Sequence, residues 1–209
     1  MRKFIVGLMG GLIALAGFAG SASASATIDL IWAGTGTGNT SVLATDVNIT
    51  LEVWLTAGAG GSQGGGISIN YAALCATCVS SFASTPGGTQ LPLGLGSTTD
   101  LGGQIDNINS AALPPYVGTG LTAAGQSWML GTVTFSTIGG AGGSFIVTAG
   151  VFGGTDDILD LAGGVISGTT TFNQASIDVA PVPEPGTLSL LGMGLGGLYV
   201  VGRRSSRKR

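Results

Sequence analysis

The sequence contains no histidine, and its interior contains neither lysine nor arginine. The seven basic residues lie at the two ends, so the interval from Phe4 to Gly202 holds all ten acidic residues and no cation. Nucleic-acid binding requires cations that neutralise phosphates, and nucleophilic triads require an imidazole base. We therefore expect a protein that binds no nucleic acid and is not an enzyme. Chemistry by a carboxylate pair, as in an acid-dependent hydrolase, is the catalytic alternative that remains.

Glycine is abundant, with 40 residues in a chain of 209, or about three times the average usage. The glycines follow no period of three, which excludes a collagen-like structure. Apolar residues make up 44% of the chain and are spread between the glycines. This distribution argues against simple disorder and leaves enough apolar side chains for one folded domain.

The first 26 residues have the three parts of a secretory signal peptide. Arg2 and Lys3 precede an uncharged apolar run over residues 4–19, and a stretch of small residues follows. We expect a signal helix, with cleavage by signal peptidase after Ala24 or Ala26. The alternative is an uncleaved membrane anchor.

Residues 181–209 form a second processing segment at the other end of the chain. A proline-rich start is followed by an apolar stretch over 187–202, which with Gly186 spans roughly 25 Å as a helix. This is the lower limit for a transmembrane helix. The positive-inside rule would hold the basic end in the cytoplasm. That end consists of Arg203, Arg204, Arg207, Lys208 and Arg209.

The order of these parts is similar to the PEP-CTERM sorting signal. The motif residues are Val182, Pro183, Glu184 and Pro185, and the apolar helix and arginine-rich end follow them. The resemblance implies handling by an exosortase, a membrane-embedded enzyme of Gram-negative bacteria that also make exopolysaccharide. It also implies that the tail is removed and that the body of the protein passes outward. A permanent C-terminal anchor is the alternative.

The body, residues 27–180, is predicted to be all-β. The clearest strand is 47–55, where apolar side chains alternate with Asn48, Thr50 and Glu52, as in a sheet with one buried face. Short strands between glycine-rich turns predict a single antiparallel β-sandwich of cohesin-like or jelly-roll type. Weak helical turns are expected around 72–82 and 105–113. The other candidate strands are 28–32, 67–71, 128–136, 145–152, 158–166 and 169–179.

The order of strands resembles that of cohesin-type sandwich domains. The matching stretches are Val47–Leu55, Ile67–Tyr71 and Leu130–Phe135. The resemblance implies a module that binds a protein partner or acts as a spacer at a cell surface, and it assigns no individual binding residue.

Cys75 and Cys78 form the only cysteine pair. In an oxidising compartment the pair is expected to form a local disulfide. A thioredoxin-like redox centre would need a βαβ context, and a zinc site would need two further ligands.

Two other features are candidate binding sites. Asp156, Asp157 and Asp160 offer hard oxygen ligands that suit Ca²⁺. Their spacing is not that of an EF-hand loop. The alternative is a solvated acidic turn. Trp54 falls on the polar face of its strand and is a candidate platform for stacking on a sugar ring. A tryptophan in a sandwich more often covers the core or an edge.

These observations predict an exported protein of the cell surface or extracellular matrix with a structural or adhesive role. Its expected partners are signal peptidase and exosortase during export, followed by polysaccharide or further copies of itself. The C-terminal helix would hold it in the membrane before processing. The alternative function is a cohesin-like module that binds carbohydrate or protein, with Ca²⁺ as the one candidate cofactor.

Overall fold

The computed structural model of the chain is built from strands, and the residues it describes fall into eight stretches. Most of the predicted signal peptide, the motif at 182–185 and the basic end at 203–209 lie outside them. The described residues are 25–43, 48–75, 78–113, 117–136, 142–152, 156–181, 186 and 189–196.

Twelve strands and one short 3-10 helix, Ser167–Thr169, occur in these stretches. The strands are β1 (Ala26–Trp32), β2 (Asn39–Leu43), β3 (Ile49–Ala57), β4 (Gly64–Asn70), β5 (Val79–Ser84), β6 (Thr99–Asp100), β7 (Gln104–Ala111), β8 (Ser127–Phe135), β9 (Gly143–Gly150), β10 (Ile158–Leu159), β11 (Thr170–Phe172) and β12 (Ala175–Ala180).

The strands form two sheets that face each other. One sheet has the order β11-β1-β3-β8-β5, and the other has the order β2-β12-β9-β4-β7-β6, with β10 paired to β4. Their inner faces share one apolar core. The predictions of an all-β chain and of a β-sandwich are therefore confirmed.

Alternation along the strands explains how this core forms. In β3, Leu51, Val53 and Leu55 are fully buried, and the residues between them are half-buried. β1 alternates in the same way and pairs antiparallel with β3, so that Leu30 lies opposite Val53. Each side chain of this size stabilises the fold by roughly 1.5–3 kcal/mol when it is fully buried. A slip of one residue in this register would turn both apolar rows outward.

Two pairings depart from the antiparallel prediction. β11 runs parallel to β1, and β12 runs parallel to β2. Parallel neighbours require long connections, and more than a hundred residues separate the members of each pair along the chain. The predicted strand 169–179 is in fact β11 and β12, which belong to different sheets, and the predicted strand 158–166 is reduced to the two residues of β10.

The helical turns predicted at 72–82 and 105–113 are largely wrong. A single turn occurs at 72–74, and β5 occupies the residues from Val79 to Ser84. The second segment is the long strand β7. Its alternation is interrupted at Asn107, which has a φ of 58°, and this irregularity hides the period of two in the sequence.

The described part of the C-terminal segment is helical at 186 and 189–196. Four of its large apolar side chains are 60–69% exposed, namely Leu190, Leu191, Met193 and Leu195. Among the described residues, no helix has both the length and the apolar character needed to span a membrane.

Candidate functional site

A shallow apolar cleft of about 360 Å³ opens where β3 and β8 pair. Trp54 comes from β3, and Ser127, Trp128 and Met129 come from the start of β8. The register shifts next to Trp54, which lies opposite Met129, whereas the neighbouring Val53 lies opposite Gly131. Thr85, just after β5, completes the lining. The cleft therefore depends on three strands that are far apart in the sequence.

The polar edges of both indoles in this cleft are already engaged within the protein. The Nε1–H of Trp54 donates to Oε2 of Glu52 at 2.9 Å. The Nε1–H of Trp128 donates to the carbonyl oxygen of Thr85 at 3.1 Å. These hydrogen bonds fix the orientation of the rings. They leave the cleft with mainly apolar ring and side-chain surface, which suits stacking or hydrophobic contact better than a directional hydrogen bond.

A tight turn packs against the far edge of Trp128. Gly88 has a φ of +61°, and a Cβ at this position would lie 2.9 Å from Cη2 of the indole. Only glycine combines this backbone conformation with so close an approach at low cost. The turn therefore holds Trp128 at the edge of the cleft.

The sequence identified Trp54 as a candidate but did not identify Trp128 and Thr85 as its neighbours. Their proximity follows from the pairing of β3, β8 and β5 in one sheet. A local pattern of apolar residues predicts that each strand exists, but it does not say which strands pair.

The cysteine pair lies at the entrance to β5. Cys75 and Cys78 are joined by a disulfide, with their Cα atoms 5.7 Å apart. Cys78 is buried against the core, and Cys75 is half-buried beside it. This position fits a local link between the turn at 72–74 and the strand that follows.

The structure does not bring the three candidate Ca²⁺ ligands at 156–160 together. Oδ2 of Asp156 accepts from the Ser68 hydroxyl at 2.5 Å. Asp157 accepts from the Ser167 hydroxyl at 3.2 Å. Asp160 caps its own turn, because its Oδ1 accepts from the backbone N–H groups of residues 162 and 164. Within the described stretches, no group of three or more His, Cys, Asp or Glu side chains could hold a metal ion.

The sorting motif follows directly after the last strand. β12 ends at Ala180, and Pro181 is exposed. Val182, Pro183, Glu184 and Pro185 lie outside the described residues, as do Arg203, Arg204, Arg207, Lys208 and Arg209.

Comparison with protein families identifies this C-terminal segment. The model of the PEP-CTERM protein-sorting motif matches residues 181–208. Such a motif implies export, membrane-linked sorting and processing by an exosortase. No curated protein matches the chain in sequence.

Comparison with solved structures identifies the fold of the body. The seventh ScaB type I cohesin from Pseudobacteroides cellulosolvens is 13% identical, with a TM-score of 0.51 over 78% of this chain and 95% of that one. The third cohesin ScaC from Acetivibrio cellulolyticus, solved with the ScaB dockerin, is 12% identical, with a TM-score of 0.50 over 74% and 98%. CaCohA2 from Clostridium acetobutylicum is 16% identical, with a TM-score of 0.50 over 74% and 91%.

These identities are low enough that the likeness concerns the fold alone. The chain thus carries a PEP-CTERM sorting motif at 181–208 and, in front of it, a β-sandwich that is similar in fold to cohesins.

Proposed function

We propose that this chain is an exported structural or adhesive protein of the cell surface or extracellular matrix. It is cleaved by signal peptidase at its N-terminus and by an exosortase at its C-terminus, and it then associates with exopolysaccharide or with other copies of itself. The observation that carries this proposal is the sorting motif at 181–208, which begins directly after the final strand of the sandwich.

The surface chemistry of the body supports this role. It has no lysine, arginine or histidine between Phe4 and Gly202, so its polar surface consists of hydroxyl, amide, carboxylate and backbone groups. Hydroxyl-rich strands such as β5 and β2 are exposed at sheet edges. Such surfaces offer hydrogen bonds to the hydroxyl groups of neutral sugars.

The decisive test is the intact mass of the protein from native envelope and medium fractions. The proposal predicts a species that begins near Ser25 or Thr27 and ends between Pro183 and Gly186. Any additional mass would report an attached glycan or anchor. A mature pool that retains the basic end, residues 203–209, would show a permanent membrane anchor and would contradict the proposal.

A second candidate function, carbohydrate binding, is favoured by the cleft that Trp54 and Trp128 line. Aromatic side chains that flank an apolar cleft suit the apolar faces of sugar rings. Glu52, hydrogen-bonded to Trp54, adds an acceptor for sugar hydroxyls at the rim of the cleft.

A glycan array probed with the full chain tests this function, with and without EDTA. Binding to a defined set of glycans supports a binding module, and the absence of signal in both conditions contradicts it.

A further inference from the structure

A β-bulge brings three polar side chains together on the outer face of the second sheet. Ile67 of β4 lies opposite Ile108 of β7, whereas two residues further along Ile69 lies opposite Ile105. One residue of β4, Ser68, therefore faces two residues of β7, Asp106 and Asn107. Because Ile67 and Ile69 point into the core, alternation places Ser68 on the opposite face.

The Ser68 hydroxyl lies between two carboxylates. Its Oγ is 2.8 Å from Oδ1 of Asp106 and 2.5 Å from Oδ2 of Asp156. A hydroxyl has one hydrogen and donates to only one of these acceptors at a time. Ser68 is fully buried and Asp156 is 4% exposed. Two negative groups are thus held close together where water shields them poorly.

Asn107 adds a buried amide oxygen to this cluster of polar side chains. The residue is only 6% exposed. Its Oδ1 has no hydrogen-bond partner among the described residues. The amide orientation is set by Nδ2, which donates to the carbonyl oxygen of Leu95 at 2.8 Å. A buried carbonyl oxygen left without a donor is costly.

Oδ1 of Asn107 and Oδ1 of Asp156 lie around one point, the position that a Cβ on Gly66 would occupy. A Cβ on Gly66 would lie 2.7 Å from Oδ1 of Asn107 and 3.7 Å from Oδ1 of Asp156. Glycine at position 66 therefore avoids a clash with Oδ1 of Asn107. Asn107 belongs to the bulge, and its φ of 58° turns its side chain out of the regular alternation of β7. β-bulges redirect side chains in this way.

We propose that Asp106, Asn107, Asp156 and Ser68 form a Ca²⁺ site. The carboxylate and amide oxygens belong to the donor set that Ca²⁺ prefers, and the Ser68 hydroxyl adds one more oxygen. These four residues offer no imidazole or thiolate, the ligands typical of zinc. The chain has no cationic side chain of its own between Phe4 and Gly202, so the charge of this pair is balanced by a cation from the medium. Asp106 is partly exposed, so water molecules reach the ion on that side and complete its coordination.

The bound ion would tie together three parts of the sandwich: β4, β7 and the segment that leads into β10. A protein-bound Ca²⁺ with two carboxylates falls in the class of extracellular modules, which bind with a Kd of about 10⁻⁴–10⁻³ M. This range suits a protein exposed to the medium. The site is independent of the proposed surface role, which would stand if Ca²⁺ failed to bind.

The test is titration of the full chain, freed of metal with EDTA, with calcium chloride. Isothermal titration calorimetry should show one Ca²⁺ per chain. Thermal unfolding should show a Tm that rises by about 3–6 °C at a tenfold excess over Kd. D106N and D156N should each weaken binding at least tenfold and remove most of the Tm rise. Without Ca²⁺ their Tm should equal or exceed that of the wild type, because each removes one of two close negative charges.

The matched control is D160N, which changes a carboxylate of the same acidic segment that lies outside the proposed site. It should bind Ca²⁺ as the wild type does. The Tm values without Ca²⁺ show whether each variant is folded, so a loss of binding cannot be confused with unfolding. The proposal is overturned if the wild type binds no Ca²⁺, or if D106N and D156N fold and still bind it with unchanged affinity.

Discussion

The buried phenol of Tyr71 donates a hydrogen bond of 2.6 Å to Oδ1 of Asp100. The ring also packs edge-on against Phe135, with their centroids 5.7 Å apart. Tyr71 therefore connects the core of the sandwich to β6, a two-residue strand at the edge of the second sheet. Burial, together with the hydrogen bond to Asp100, raises the pKa of Tyr71 to about 12.

This pKa predicts a loss of stability in alkali. Because the pKa of Tyr71 is about 12 in the folded state and about 10 in the unfolded chain, the folded state holds the proton more tightly. The stabilisation is fully present below about pH 10 and is lost as the pH rises towards about 12. At ~1.4 kcal/mol per unit, the total is on the order of 3 kcal/mol. Denaturant unfolding between pH 8 and pH 12 would measure it.

The control for this prediction is Tyr71→Phe. It keeps the ring and its contact with Phe135 but removes the ionisable group, so its free energy of unfolding should depend less on pH over the same interval. An equal decline in both proteins would show that Tyr71 is not the group responsible.

Gly131 in β8 is predicted to tolerate no side chain. A Cβ there would overlap the carbonyl oxygen of Ala83 on β5 and lie 2.5 Å from Cγ2 of Ile108 in the facing sheet. Neither neighbour can move freely, because one is backbone and the other is fully buried. Gly131→Ala should lower the free energy of unfolding by about 1–3 kcal/mol, as measured by urea denaturation.

Gly168 provides the matched control for Gly131. It lies in the 3-10 helix, and a Cβ there meets no atom within 4 Å. Gly168→Ala should change stability by no more than about 0.5 kcal/mol. If both substitutions had the same effect, the close contact between β8, β5 and β7 would not be the cause.

Trp54→Ala should weaken any glycan binding without unfolding the protein. Trp54 is half-buried on the outer face of β3, and an aromatic contact contributes about 0.5–1.5 kcal/mol, which corresponds to a loss of affinity of up to about tenfold. Phe152→Ala is the control, because Phe152 is 55% exposed and does not line the cleft. Affinity for a glycan found on the array, measured by calorimetry, should fall only for Trp54→Ala.

The sequence predicted those parts of the fold that depend on local alternation. β1, β3, β4 and β8 were expected close to their observed positions because each has one row of apolar side chains that faces the core. β7 is not predicted from the sequence because the bulge at Asn107 places its inward-facing residues Ile105 and Ile108 three positions apart instead of two. A spacing of three resembles the period of a helix.

The candidate sites show the same division between local and long-range information. Trp54 stood out because it occupies a polar position, but its neighbour Trp128 depends on strand pairing. The sequence predicts that Asp156 lies with Asp157 and Asp160. Its actual neighbours, Ser68 and Asp106, lie at least 50 residues away in the sequence. No spacing rule within one segment connects them.

The final prediction concerns the boundary between the sandwich and the sorting tail. β12 pairs with β9 through Val179 and with β2 as far as Ala180, whereas the apolar side chains described at 190–195 are exposed. A chain that ends at Pro181 should therefore keep the Tm of the full chain to within about 2 °C, because the residues described beyond Pro181 are all exposed and bury nothing against the sandwich. A chain that ends at Ser176 should lose several kcal/mol, because truncation removes the buried side chains of Ile177 and Val179. Calorimetric unfolding of the two truncated chains would distinguish these results, and equal losses of stability would place part of the folded domain beyond Pro181.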